Sequence, residues 1–408
     1  KKNKQYKTHL PETTHTHTLI DERDLIIMPM TRGQRKQSGL VLENDLETGS
    51  AGSGASSSSG RKVLVTGGCG FVGNRLAETL LADPSVSEVR VFDIREGANP
   101  EFKYLVGDLR RMDDVRAAVR GCTEVYHVAS LTELSGARQL FIDINIQGTA
   151  NVIKACQLEH VPTLVYTSSA SVVFDGVDLL DGDESLPYPE SFLDFYTYTK
   201  AEAEKLVLAA NGVDGLATVA IRPHSIFGPG DQHFWPKVIA NAEAGRLRFY
   251  MGDGKNLSDY TFVDNCVLGH TLAAERLRTE KGRRVVGGQA YFITNGQPAN
   301  LWGTMKEIAV GVGIPEAGIG SARIPYSLAY TIGFINEYVY WGIGMCCRTR
   351  GPTLTRYVAA NTCTNHFFSI EKARRDLGYE PTPHAECMKI TIDYYRKQRE
   401  SRLKNKQA

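Results

Sequence analysis

A chain of 408 residues, 42% apolar and with a formal charge of +1, holds enough nonpolar side chain for one large domain or two small ones. That charge balance carries no basic excess to attract nucleic acid. The eight cysteines show no CxxC pair and no matching histidine spacing, which argues against a disulfide framework or a metal site and fits a reducing compartment. Residues 1–60 keep no helical or strand period and end in a Gly/Ser run over 49–60, so they read as a disordered extension and linker. No charged-then-apolar leader stands out, and the natural start is expected at Met28 or Met30.

The first predicted element is the apolar, β-branched run Val63-Leu64-Val65-Thr66. It stops at Gly67-Gly68-Cys69-Gly70-Phe71-Val72-Gly73, and Phe71, Leu76 and Leu80 then recur at helical spacing. Strand, tight turn and helix N-terminus in that order form a dinucleotide cradle. Gly67 lets the chain turn, Gly70 removes a side chain where a pyrophosphate approaches, and Gly73 lets the helix pack against the sheet. The free N–H groups that open the helix, those of Phe71 and Val72 among them, favour an anion there. Val89-Arg90-Val91-Phe92-Asp93 is the second strand and ends in a carboxylate. An acid at that place accepts from the adenosine ribose hydroxyls and repels a 2′-phosphate, so NAD is the expected cofactor; Arg95, two residues on, leaves NADP possible.

Further strands are expected at 103–107, 124–129, 163–167 and 217–222, with helices near 112–120, 137–159 and 198–210. Repeated alternation of this kind predicts an α/β fold, a Rossmann-type doubly wound parallel sheet covered on both faces. Ligands in such sheets sit beyond the carboxyl ends of the strands. Asp108 and Leu109 follow strand three and are placed to meet an adenine. Ala129 and Ser130 follow strand four and are placed to line the cofactor groove. Ser168-Ser169 ends strand five.

Asp194-Phe195-Tyr196-Thr197-Tyr198-Thr199-Lys200 opens the next helix. Tyr196 and Lys200 are four apart and project from one face. An ammonium near a phenol stabilises the phenolate, and a phenol tuned toward neutrality suits the interconversion of an alcohol and a ketone. Ser169 is the expected hydrogen-bond donor to the reacting oxygen, and Lys200 also reaches the nicotinamide ribose. Tyr198 has Glu202 as its i+4 neighbour and is not a candidate.

With these residues in place the chain resembles the extended short-chain dehydrogenase/reductases over residues 61 to about 395. The segments that carry the resemblance include Asn145-x-x-Gly148-Thr149-x-Asn151, Arg222-Pro223-x-x-Ile226-Phe227-Gly228-Pro229 and Asp259-Tyr260-Thr261-Phe262-Val263-Asp264. Ser168-Ser169-Ala170-Ser171-Val172-Val173-Phe174 and Gly252-Asp253-Gly254-Lys255-Asn256 narrow it to the 3β-hydroxysteroid dehydrogenase group, and within that to its branch acting on 4α-carboxysterols. The resemblance implies a catalytic triad of Ser169, Tyr196 and Lys200, with Pro223 marking the segment near the nicotinamide amide. It implies oxidation of a sterol 3β-hydroxyl to the ketone with loss of the C4 carboxylate as carbon dioxide. His224 is one guess for the group holding that carboxylate, a buried core role being the other. A 3β-hydroxysteroid dehydrogenase/isomerase, a sugar-nucleotide epimerase and a non-catalytic NAD-binding protein are the alternatives. The resemblance also implies homodimer formation through the helices near 137–159 and 198–210, and location at the cytosolic face of the endoplasmic reticulum membrane or on lipid droplets.

Residues 61–222 are thus expected to form the NAD-binding domain and 223–400 mainly a substrate-binding region. Within the latter, 324–347 is the longest apolar stretch, with Asn336 and Glu337 in its middle. As one helix it would be about 36 Å long. It reads as an interfacial anchor, a membrane span or a wall of the substrate pocket.

Overall fold

The computed structural model describes residues 60–132, 138–232, 234–344 and 352–407. The expected extension, except for Gly60, and the last part of the 324–347 stretch lie outside the described residues.

Seven parallel strands form the central sheet: β1 (Arg61–Thr66), β2 (Val86–Asp93), β3 (Lys103–Val106), β4 (Glu124–His127), β5 (Thr163–Thr167), β6 (Ala217–Pro223) and β7 (Gln289–Ile293). Their spatial order is β3-β2-β1-β4-β5-β6-β7. The order reverses between β1 and β4, and the crevice outside the strand ends at that point is where ligands of such sheets bind. Six of the strands are those expected from the sequence. β7 comes from much later in the chain and pairs in register with β6, Tyr291 opposite Ile221.

Alternation along β1 shows why the sheet needs two covers. Val63 and Val65 face one core with Leu76, Leu80, Val267 and Leu277, while Leu64 faces the other with Val115, Val152, Cys156 and Val207. The first cover includes α1 (Phe71–Leu81) and α5 (Val263–Leu277). The second includes α2 (Met112–Val119), α3 (Gly148–Leu158) and α4 (Phe195–Ala209). The helical pattern read over 137–159 is interrupted: Ile142–Gln147 is π-helical, directly before α3.

Most of the residues after β6 other than α5 and β7 build a smaller region, with its own core of Phe227, Trp235, Ile239, Tyr260, Leu301, Ile308 and Met388. A four-stranded sheet there joins Leu179–Gly182, Leu257–Ser258, Ala299–Asn300 and His366–Phe368. The apolar stretch forms α6 (Tyr326–Gly344), which packs against α7 (Arg356–Cys363). Its two mid-segment polar residues are used in that packing. Glu337 accepts from the backbone N–H and Nε of Arg356, both at 2.7 Å, and Asn336 donates to the carbonyl of Leu354 at 3.2 Å. Gly333 lets the two segments approach, since a Cβ there would lie 2.6 Å from the carbonyl carbon of Thr355. Among the described residues no helix is long and apolar enough to cross a membrane.

Candidate active site

The dinucleotide cradle has the geometry that its glycines imply. Gly67 sits at φ +69°, and a Cβ on it would come within 2.7 Å of the Cα of Ala129 in the loop after β4. Gly70 is the N-cap of α1. A Cβ at Gly73 would lie 2.2 Å from the Gly67 carbonyl oxygen, so helix and turn can close only without a side chain. Phe71 and Val72 open α1, and their N–H groups are among those that a helix start leaves unpaired.

Asp93 ends β2 beside this turn and accepts from the Cys69 N–H at 3.1 Å. Arg95 donates to the Cys69 carbonyl at 3.3 Å, which sets a guanidinium next to the carboxylate. After β3, Asp108 is held by Arg110, whose guanidinium keeps its carboxyl below the usual range. Leu109 is buried, and its carbonyl accepts from Asn151 at 2.8 Å. After β4, the Ala129 N–H donates to Thr66 Oγ1 at 3.2 Å and Ser130 Oγ lies 3.3 Å from Asn145 Oδ1. Pro223 ends β6. These residues thus stand at the carboxyl edge of the sheet or the start of α1, while Tyr196 and Lys200, also expected to meet the cofactor, are on α4 (Phe195–Ala209). The glycine cradle and the acid of β2 fit NAD; the Asp108 carboxylate is already committed to Arg110.

The catalytic candidates lie at the end of β5 and in the first two turns of α4. Asp194 is the N-cap of α4, accepting from the Thr197 N–H at 2.9 Å and from Thr197 Oγ1 at 2.6 Å. That cap fixes the turn carrying Tyr196. Lys200, one turn on, is 2% exposed. Its Nζ donates to the Thr167 carbonyl at 2.5 Å and lies 4.3 Å over the Tyr166 ring. Burial pushes its ammonium down to about 7, with Glu204 pulling partly back. Burial pushes the half-buried Tyr196 phenol above its ordinary value, and the charge of Asp194 adds to the rise. The lowering expected from Lys200 is not what governs this phenol, because the ammonium is turned onto Thr167 and is itself desolvated. Ser169 caps the short turn Ala170–Val173, accepting from the Ser171 N–H at 3.2 Å with Ser171 Oγ at 2.8 Å.

Several residues to which the sequence assigned no role at this site support the set. Asn145, in the π-helical stretch, bonds the loop after β4 through Leu131 and donates to Thr199 Oγ1 of α4 at 3.0 Å. His127 bridges Thr66 and Thr149, and His270 bridges Thr167 and the Cys266 carbonyl. Both are neutral, burial lowering them to about 3 and about 4. Tyr357 of α7 is close enough for Asp194 and Tyr196 to raise its phenol further than burial alone does. His224 is buried, with Nδ1 on the Asp259 carbonyl at 2.8 Å and its ring 4.8 Å from that of His366. Burial lowers it to about 4, so without substrate it is neutral near neutral pH.

The sequence pattern of the 3-beta hydroxysteroid dehydrogenase/isomerase family matches residues 64–319, more than half of the chain. The chain belongs to that family. Within it, the chain is 38% identical to the sterol-4-alpha-carboxylate 3-dehydrogenase, decarboxylating, of Mus musculus over 352 residues, covering 86% of this chain and 91% of the relative. It is 39% identical to short-chain dehydrogenase/reductase family 42E member 1 of Homo sapiens, covering 79% and 84%. It is also 39% identical to the 3beta-hydroxysteroid-dehydrogenase/decarboxylase isoform 1 of Arabidopsis thaliana, covering 82% and 80%. Among solved structures, the dTDP-glucose 4,6-dehydratase of Streptomyces venezuelae with NAD bound superposes with a TM-score of 0.63 at 21% identity, over 83% of this chain and 98% of that one. That likeness shows the same fold, a doubly wound parallel sheet of the Rossmann type.

Proposed function

We propose that the protein is an NAD-dependent oxidoreductase that converts the 3β-hydroxyl of a 4α-carboxysterol to the ketone, with loss of the carboxylate as carbon dioxide. The observation that carries this reading is Tyr196 and Lys200 on one face of α4, held against the end of β5 where Ser169 stands, beside a complete dinucleotide cradle. The names of the relatives supply the substrate class.

Bound NAD would supply the hydride acceptor for the oxidation at C3. Gly67, Gly70, Gly73 and the start of α1 would hold its pyrophosphate, and Asp93 its adenosine ribose. Tyr196, as phenolate, takes the proton of the sterol hydroxyl. Lys200 would hold the nicotinamide ribose and give the phenolate a nearby cation, and Ser169 would hydrogen-bond the oxygen whose charge changes. The resulting ketone is β to the C4 carboxylate. A β-keto acid loses carbon dioxide through its enol, so no further acid or base is demanded of the protein.

Membrane association and location at the cytosolic face of the endoplasmic reticulum, lipid droplets included, are part of the proposal. They are supported by the apolar face of α6, where Leu328, Ile335 and Val339 are each about half exposed. Homodimer formation through α3 and α4 is proposed from the resemblance. Light scattering of the purified protein tests it.

The reaction is tested by incubating the purified protein with NAD and a 4α-carboxy-3β-hydroxysterol while trapping carbon dioxide. NADH and carbon dioxide in equal amounts are expected. NADH without carbon dioxide from a 4-unsubstituted 3β-hydroxysteroid, with none from the carboxysterol, would transfer the assignment to a steroid dehydrogenase/isomerase.

A further inference from the structure

Four side chains form a hydroxyl chain that leads away from the reacting centre. Ser169 Oγ lies 2.8 Å from Ser171 Oγ, Ser171 Oγ lies 3.4 Å from Thr197 Oγ1, and Thr197 Oγ1 lies 2.6 Å from Asp194 Oδ2. Ser171 and Thr197 are buried. Each hydroxyl has one proton to give, so a hydroxyl that donates along the chain in one direction cannot donate in the other.

An ionised Asp194 can only accept. The Thr197 proton then goes to the carboxylate, Ser171 donates to Thr197, and Ser169 donates to Ser171. In that arrangement Ser169 meets the substrate oxygen as an acceptor. A protonated Asp194 frees the Thr197 proton and so permits every step to reverse. It donates to Thr197, Thr197 to Ser171 and Ser171 to Ser169. Ser169 Oγ, which also accepts the Ser171 N–H at 3.2 Å, then has both lone pairs filled and can only donate toward the substrate. No covalent bond changes in the reversal, and the one added proton resides on Asp194.

We infer that Asp194 is a positioning residue that sets, through Thr197 and Ser171, whether Ser169 donates to or accepts from the reacting oxygen. The donating arrangement stabilises the alkoxide-like oxygen during oxidation, and the accepting arrangement does not. Among the described residues, the titratable groups facing Asp194 are Tyr196 on its own helix and Tyr357 from α7, both acids that are neutral in this setting. Burial raises the Asp194 carboxyl above its ordinary range, against the N–H groups of Tyr196 and Thr197 and the Thr197 hydroxyl, which lower it. The reversal therefore falls nearer the pH at which the enzyme would work than an exposed aspartate would allow.

This inference rests on the proposed oxidation, and its test separates the two. Asp194→Asn mimics the protonated acid: its Oδ1 keeps the Thr197 N–H, and its Nδ2 takes the place of Oδ2 and donates to Thr197 Oγ1. Asparagine is also a good N-cap, so Tm should hold where Asp194→Ala lowers it. The wild-type pH profile of kcat should contain a limb that falls as Asp194 ionises, and Asp194→Asn should lack it. Ser171→Ala should also lack the limb and lose about tenfold in kcat, less than the ~10²-fold expected for removing a donor outright. Its KM and NADH affinity should stay within about twofold. Superimposable profiles for wild type and Asp194→Asn would overturn the inference. Without any substrate, the infrared carbonyl band of protonated Asp194 should disappear in Asp194→Asn, and its titration midpoint should move in Ser171→Ala. An unmoved midpoint overturns the chain even if no sterol is oxidised, whereas absent turnover with a shifted midpoint overturns only the proposed reaction.

Discussion

The ammonium of Lys200 donates to the carbonyl oxygen of Thr167 across 2.5 Å, which joins the catalytic helix to the last residue of β5. The bond holds a charge in a place where water cannot reach it, and burial answers by lowering that ammonium to about 7. Below that pH the folded protein carries the full cost of a desolvated cation. Between about 7 and the ordinary lysine value of 10.5 the unfolded chain binds the proton and the folded one does not, so this group's contribution to stability improves as pH rises through that window.

Lys200→Met should therefore raise the Tm of the cofactor-free protein at pH 6 while lowering kcat by about 10² or more. Scanning calorimetry from pH 6 to 10 checks the first part, and the gap between wild type and variant should narrow as pH rises. A variant less stable than wild type at pH 6 would show that the Thr167 bond outweighs the desolvation.

Acid should act through four buried histidines. His127 and His366 are lowered to about 3, and His224 and His270 to about 4, each by burial. The unfolded chain takes up their protons near 6.5 while the folded one does not, so stability should fall as pH drops from about 6.5 toward 4. The slope is about 1.4 kcal/mol per pH unit for each histidine. Urea titrations at pH 7, 6 and 5 measure it, and His127→Gln should flatten it by one histidine's share.

Asp93→Ala should weaken NADH binding about tenfold or more, the usual loss for a hydrogen bond to a charged group. It should also improve NADPH binding, because Arg95 stays beside the vacated place on the Cys69 carbonyl. Fluorescence titration with both reduced cofactors gives the two affinities. A loss for both would mean that Asp93 serves the turn through the Cys69 N–H more than it reads the ribose.

Leu328→Asp combined with Ile335→Asp should abolish flotation of the protein with phosphatidylcholine vesicles and leave NADH affinity unchanged, since both side chains are exposed on α6. Equal flotation of wild type and variant would remove α6 as the contact.

Much of the site was legible because it depends on local pattern. The glycine spacing, the acid at the end of β2 and the pair Tyr196 and Lys200 are each written within a single turn or loop. What escaped depends on distant parts of the chain meeting. β7 is the short apolar run Ala290-Tyr291-Phe292-Ile293 between glycines, which fits a buried strand or a piece of buried helix equally well, and only its pairing with β6 decides. The Asp194 cap is visible as an acid before a helix, but its link to Ser169 needs Ser171 to arrive from β5. Asn336 and Glu337 interrupt an apolar stretch for a reason held elsewhere, in the backbone of Leu354 and Arg356.

The late arrival of β7 also bears on biogenesis. When the chain emerges from the ribosome, six strands and the whole glycine cradle are present long before Gln289 to Ile293 exist to close the β6 edge. During that interval β6 offers a row of unpaired backbone groups to any passing strand, its own sister chains included.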